Sequence, residues 1–137
     1  MNSNTHSANS LQPGLSAEVE ITVSETETAA RLGSGSLAVY ATPALVALME
    51  NAAVRALEGH LPPGQTSVGG HIDVRHLAAT PLGMQVRARA ELVEVQKRKL
   101  TFHIQTWDEV EQIGEARHVR YVVDAEKFME KIREKGK

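Results

Sequence analysis

Thr42-Pro-Ala-Leu-Val-Ala-Leu-Met-Glu-Asn-Ala-Ala-Val-Arg-Ala-Leu-Glu-Gly59 is the stretch on which the fold turns. Threonine caps free amide groups and proline at the first helical position loses no hydrogen bond, so Thr42 followed by Pro43 reads as a helix start with Thr42 as its cap. At about 100° per residue, Leu45, Val46, Leu48, Met49, Ala52, Ala53, Val54, Ala56 and Leu57 cover roughly two thirds of the circumference. Asn51, Arg55 and Glu58 form the polar strip. A helix this apolar, running to about Gly59, must be wrapped by other structure.

The rest of the chain offers the wrapping. From Ala17 to Thr26, Val19, Ile21 and Val23 alternate with Glu18, Glu20 and Thr22, the period of a half-buried strand. Four more alternating segments follow, Thr66 to Ala79, Met84 to Gln96, Lys99 to Asp108 and Gln112 to Asp124. Their separators, Thr80-Pro-Leu-Gly83, Gln96-Lys-Arg-Lys99 and Glu109-Val-Glu111, are short, which predicts antiparallel neighbours. Gly33-Ser-Gly-Ser36 predicts a flexible loop. Asp124 is expected to cap a last short helix whose Phe128, Met129 and Ile132 face the sheet. The fold class is α+β: a five-stranded antiparallel sheet around a long central helix, with a short C-terminal helix.

At 137 residues and 42% hydrophobic, the chain suits one compact domain. Its start is expected near Leu15, after a polar, disordered tail over 1–14. With 15 basic and 17 acidic residues the net charge is -2, which argues against a nucleic-acid surface or a polybasic membrane patch. The lack of cysteine excludes disulfides, thiol nucleophiles and cysteine metal sites. No apolar run approaches the roughly 18 residues of a membrane span, and no signal peptide is visible, so a soluble cytoplasmic protein is expected.

Three polar residues stand in apolar surroundings. Glu50 falls at about 140° on the wheel from Leu45, between Leu57 and Val54. An unpartnered carboxylate there would cost several kcal/mol or take up a proton, so it either pairs with an arginine, lies at the helix edge, or works chemically. In Val74-Arg-His-Leu-Ala-Ala-Thr-Pro-Leu-Gly83, His76 has the parity of Val68, Gly70, Ile72, Val74 and Ala78, which turns it inward in an unbroken strand. It is a core histidine or a catalyst. His71 and Asp73 take the opposite parity, so His-x-Asp-x-x-His makes no metal site and no metal is expected. Thr42 and Glu50 lie about 12 Å apart along a helix, so either a substrate spans them or a second subunit completes the site. A hydroxyl, a carboxylate and an imidazole are the parts of acyl-transfer sites.

Tyr40-Ala-Thr-Pro, Leu48-Met-Glu-Asn-Ala-Ala-Val-Arg, Ser67-Val-Gly, Val74-Arg-His-Leu-Ala-Ala-Thr-Pro-Leu-Gly and Ile113-Gly followed by His118-Val-Arg form an ordered set. In it the chain resembles the hot dog fold thioesterases, most closely the fluoroacetyl-coenzyme A thioesterase-like family, from about residue 17 to Lys131. The resemblance implies a hot dog domain that hydrolyses acyl-coenzyme A, with Thr42, Glu50 and His76 catalytic and Gly69 and Arg120 at the substrate. It also implies a homodimer with sites at the subunit boundary and no cofactor beyond the coenzyme A of the substrate. Read from the residues alone, Gly69 also suits a strand bulge and Arg120 a partner for a carboxylate. Gln96-Lys-Arg-Lys99 suits either coenzyme A phosphates or a solvated turn, and His103 and His118 receive no role. Fluoroacetyl-specific members carry an aromatic-rich lid before the helix, whereas this chain has Leu32-Gly-Ser-Gly-Ser-Leu-Ala-Val39 and both phenylalanines far downstream. A small or medium acyl group is therefore expected. Two rivals use the same fold: a non-catalytic acyl-coenzyme A binding module, and an enoyl thioester hydratase, for which no aspartate and histidine pair stands after the helix start.

Overall fold

The computed structural model describes residues 11–137, and the expected tail over 1–10 lies outside them. In the rest of that expected tail, Leu11 packs against the core and the Gly14 amide donates to the Leu92 carbonyl at 2.8 Å. The elements run β1 (Ser16–Thr22), a 3-10 turn (Glu25–Glu27), α1 (Ala29–Leu32), α2 (Thr42–Ala56), β2 (Gln65–His76), β3 (Gln85–Gln96), β4 (Lys99–Trp107), β5 (Gln112–Asp124) and α3 (Ala125–Lys135). The strands form one antiparallel sheet in the order β1-β3-β4-β5-β2.

The expected sheet around a central helix is present. Val86, Ala88, Ala90 and Leu92 of β3 and Leu100, Phe102 and Ile104 of β4 meet Leu45, Leu48, Met49, Ala52, Ala53 and Ala56 of α2. Each large side chain so buried contributes about 1.5–3 kcal/mol. The helix sits close because small residues line the contact: a Cβ on Gly114 would lie 3.0 Å from Met49 Cε and 3.1 Å from Leu45 Cδ2. The outer alternation of charged residues is equally visible on β1, where Glu18 and Glu20 are exposed.

Several expectations need correction. β2 and β3 are not neighbours, because β2 pairs with β5 at one edge and β3 lies between β1 and β4. The connection from Leu77 to Met84 is long enough to cross under the end of the helix, where the Tyr40 amide donates to Thr80 O and the Gly83 amide to Val23 O. β1 stops at Thr22, and Ser24 and Glu27 close a capping box on the 3-10 turn. Before the expected loop at Gly33–Ser36, Thr28 caps a short helix the sequence did not predict, α1, and bridges Tyr40. α2 ends at Ala56 rather than Gly59, which instead takes a left-handed turn conformation at φ 80°. Asp124 occupies the cap position of α3 without a side-chain cap bond, its carboxylate reaching Gln65 Nε2 at 3.4 Å instead. Of the residues expected to face the sheet from α3, Met129 and Ile132 are exposed and Phe128 is half-buried.

Candidate active site

The start of α2 sets the first half of the site. Ala41, not Thr42, is the N-cap residue, and Thr42 makes no capping bond. Its hydroxyl is therefore free to reach across to β2, where Thr42 Oγ1 lies 2.7 Å from His76 Nδ1. Tyr40, buried beside this start, donates its phenol to the Ala44 carbonyl at 3.2 Å and steadies the first turn. His76 is half-buried on the face of Ile72 and Val74, as its parity predicts. Burial holds its pKa below the ordinary histidine value. Its Nε2 is buried and has no hydrogen-bond partner among the described residues. An open groove of about 410 Å³ adjoins the pair, bounded by Ala29, Ser34, Val39, Leu77 and Ala78.

The second half gathers at the other end of β2. Glu50 lies at the border of the apolar sector with its side chain 41% exposed, at the helix edge and beside an arginine. Its Oε2 is 3.8 Å from Arg120 Nη1 and 3.9 Å from His118 Nε2. Arg120, 7% exposed, donates from Nε to Ser67 Oγ at 2.8 Å, from Nη2 to Ser67 O at 3.1 Å and from Nη1 to His118 Nε2 at 3.1 Å. Burial lowers the guanidinium pKa from its ordinary value, and the Glu50 carboxylate opposes that.

Gly69 faces this cluster, against the expected parity. The register shifts between Gly69 and His71, so a bulge inserts one residue and the inward positions change from Ser67 and Gly69 to Ile72, Val74 and His76. A Cβ on Gly69 would come within 2.8 Å of Glu50 Oε2, 3.3 Å of Arg120 Nη1 and 3.4 Å of His118 Cε1. The glycine keeps backbone and carboxylate in close approach.

The chain thus brings together Thr42 with His76, and Glu50 with Gly69 and Arg120, but not the two groups with each other. About 12 Å of helix axis separates Thr42 from Glu50, and roughly 20 Å of strand separates Gly69 from His76. His118 and Ser67 join the second group although the sequence reading gave them no role. For His118 the signal was available: counted by twos from the core residues Ala116 and Val122, His118 and Arg120 are both inward. For Ser67 the bulge concealed it. Among the described residues no group of three His, Asp or Glu side chains is arranged to hold a metal ion, and no helix is long and apolar enough to cross a membrane.

Residues 23–126 match the model of a family described as fluoroacetyl-CoA-specific thioesterase. The chain belongs to this thioesterase family. It is 45% identical over 97 residues to the fluoroacetyl-CoA thioesterase of Streptantibioticus cattleyicolor, which covers 71% of this chain and 70% of that protein. A crystal structure of the fluoroacetyl-CoA thioesterase FlK superposes with a TM-score of 0.85 at 37% identity, covering 91% of this chain and 97% of that one. A variant of the same enzyme solved with acetyl-CoA superposes at 0.86, covering 91% and 98%. The hot dog architecture is shared more widely, with a hot-dog-like protein from Thermanaerovibrio acidaminovorans at a TM-score of 0.84 and 22% identity, over 98% of this chain and 97% of that one. Membership of the family makes this chain a thioester hydrolase with a hot dog fold.

Proposed function

We propose that the protein hydrolyses a small or medium acyl-coenzyme A to the free acid and coenzyme A, as a homodimer whose sites form across the subunit boundary. The observation that carries this is the placing of two incomplete polar groups, Thr42 with His76 and Glu50 with Arg120, along the inner side of the edge strand β2. An antiparallel pairing of two β2 edges about a dyad near Ile72 and Asp73 would set His76 of one protomer beside the Gly69 end of the other. The half-buried Ile72 and Val74 and the exposed Val54 would be covered in the same step.

At such a site Glu50 attacks the thioester carbonyl, or takes a proton from the water that does. The Gly69 amide faces the oxygen that becomes negative, and Arg120 adds positive charge nearby. Thr42 orients His76 or the carbonyl, and His76 exchanges a proton through Nε2. The thiolate leaves readily, so modest acid catalysis suffices. Coenzyme A enters only as part of the substrate. The groove beside Thr42 and His76, edged by alanine, serine and valine, supports an acyl group larger than a two-carbon unit.

The test is a panel of acetyl-, butyryl-, hexanoyl- and fluoroacetyl-coenzyme A, with release of free thiol followed over time. Turnover is expected, strongest for a short or medium acyl group. Tight binding of the panel without thiol release would replace this reading with a non-catalytic binding module.

A further inference from the structure

His118 is 1% exposed, yet its two ring nitrogens make directional contacts that fix its protonation. Nδ1 lies 2.8 Å from the His71 carbonyl oxygen, which only accepts, so Nδ1 carries a hydrogen. Nε2 lies 3.1 Å from Arg120 Nη1, and a guanidinium only donates, so Nε2 is bare. The ring is therefore neutral and in one tautomer. A second proton would set N–H against N–H beside a cation. Burial first, then the Arg120 charge, hold the pKa below its ordinary value, with the His71 carbonyl and Glu50 opposing and the His71 ring adding a small further depression. The Phe102 ring packs 6.3 Å away and supplies no charge.

Arg120 is thereby held on three sides, by Ser67 Oγ, Ser67 O and His118 Nε2. Glu50 Oε2 stands 3.8 Å from the same Nη1, close enough for charge attraction and too far for a hydrogen bond. Arginine prefers a two-pronged contact with a carboxylate, and nothing in the spacing prevents that contact here except the other bonds. We propose that neutral His118, with Ser67, cradles Arg120 so that its charge reaches Glu50 while the carboxylate oxygens stay unbonded and open to the substrate. His118 is in this sense a positioning residue for hydrolysis, an assignment that rests on the reading of Glu50 given above. Without an acceptor at Nε2, Nη1 turns to Glu50, 3.8 Å away, and ties it up.

Three variants separate this role from simple packing. His118→Leu removes both contacts, His118→Asn keeps the donor toward His71 but does not reach Arg120, and His118→Gln keeps an acceptor for Arg120 while losing the donor. With the most rapidly hydrolysed ester of the panel, His118→Leu and His118→Asn are expected to lower kcat about 10- to 100-fold with KM within about threefold, and His118→Gln to recover most of that loss. In a Glu50→Gln background the same changes at His118 should have no further effect, because both act through one carboxylate. In the unmodified protein, nitrogen NMR should show His118 as the Nδ1–H tautomer with a bare Nε2 near neutral pH, a result that does not depend on any variant folding. A Gln variant as impaired as the Asn variant, or a doubly protonated His118 near neutrality, overturns the cradle. If Glu50→Gln is inactive while His118→Asn is normal, the cradle alone falls; if Glu50→Gln itself turns over normally, the functional reading falls and takes the cradle's purpose with it.

Discussion

Glu50 and His76 answer to different measurements. Glutamine has nearly the shape of glutamate but neither its charge nor its basicity, so Glu50→Gln should keep the fold and assembly and lower hydrolysis by at least about 100-fold. Near-normal turnover in the folded variant would reassign Glu50 to holding Arg120 in place. For His76 the prediction is a pH limb. The neutral imidazole is the form that takes a proton, and burial lowers its pKa, so activity should fall as pH drops through a midpoint below histidine's ordinary value of about 6.5. His76→Ala should abolish that limb while a non-hydrolysable acyl-coenzyme A analogue still binds within about tenfold, since the imidazole acts mainly in the transition state. If the limb persists without His76, it belongs to another group. The same residue shows what the chain's pattern could reveal. Its inward direction was legible from Ile72 and Val74, and the hydroxyl at the helix start offered it a partner in Thr42, so that only the cap needs correcting, which falls to Ala41.

At the scale of elements, β2 borders both halves of the candidate site and also misleads the pattern. The bulge between Gly69 and His71 reverses parity, so Gly69 reads as outward from the sequence and faces Glu50 in the structure. A period of two cannot register an inserted residue without knowledge of the partner strand. The long helix and the five strands were legible, since their alternation extends over many residues. The order of the strands was not, because the turn after β2 looked like a hairpin and instead carries the chain across to β3. Nor was the exposure of Met129 and Ile132, since an amphipathic pattern on α3 does not say what its apolar side meets. Gly69→Ala tests the element directly. The added Cβ would meet Glu50 Oε2 at 2.8 Å, the end of a movable side chain, so the fold should survive. The carboxylate must move, and turnover should fall about tenfold or more with little change in melting temperature. Unchanged turnover would show that Glu50 needs no close approach to this backbone.

On the proposed reading, a single chain holds two half-sites rather than one acyl-transfer site. One edge of its sheet is β2, a strand of 12 residues that pairs with β5 on one side, has no strand on the other among the described residues, and holds one polar group near each end. An open edge of that length invites pairing, and a twofold axis supplies it without any further element. Sedimentation at micromolar concentration should therefore find a dimer and no active monomer. The most direct test is complementation. Glu50→Gln and His76→Ala proteins, each strongly impaired as homodimers, are unfolded together, refolded in equal amounts and assayed with the preferred acyl-coenzyme A. If each site takes His76 from one protomer and Glu50 from the other, half the dimers are mixed and each has one intact site, so activity returns to about a quarter of the unmodified level. If the mixture stays as inactive as its parents while mixed dimers are demonstrably present, both residues act within one protomer and the shared site is contradicted.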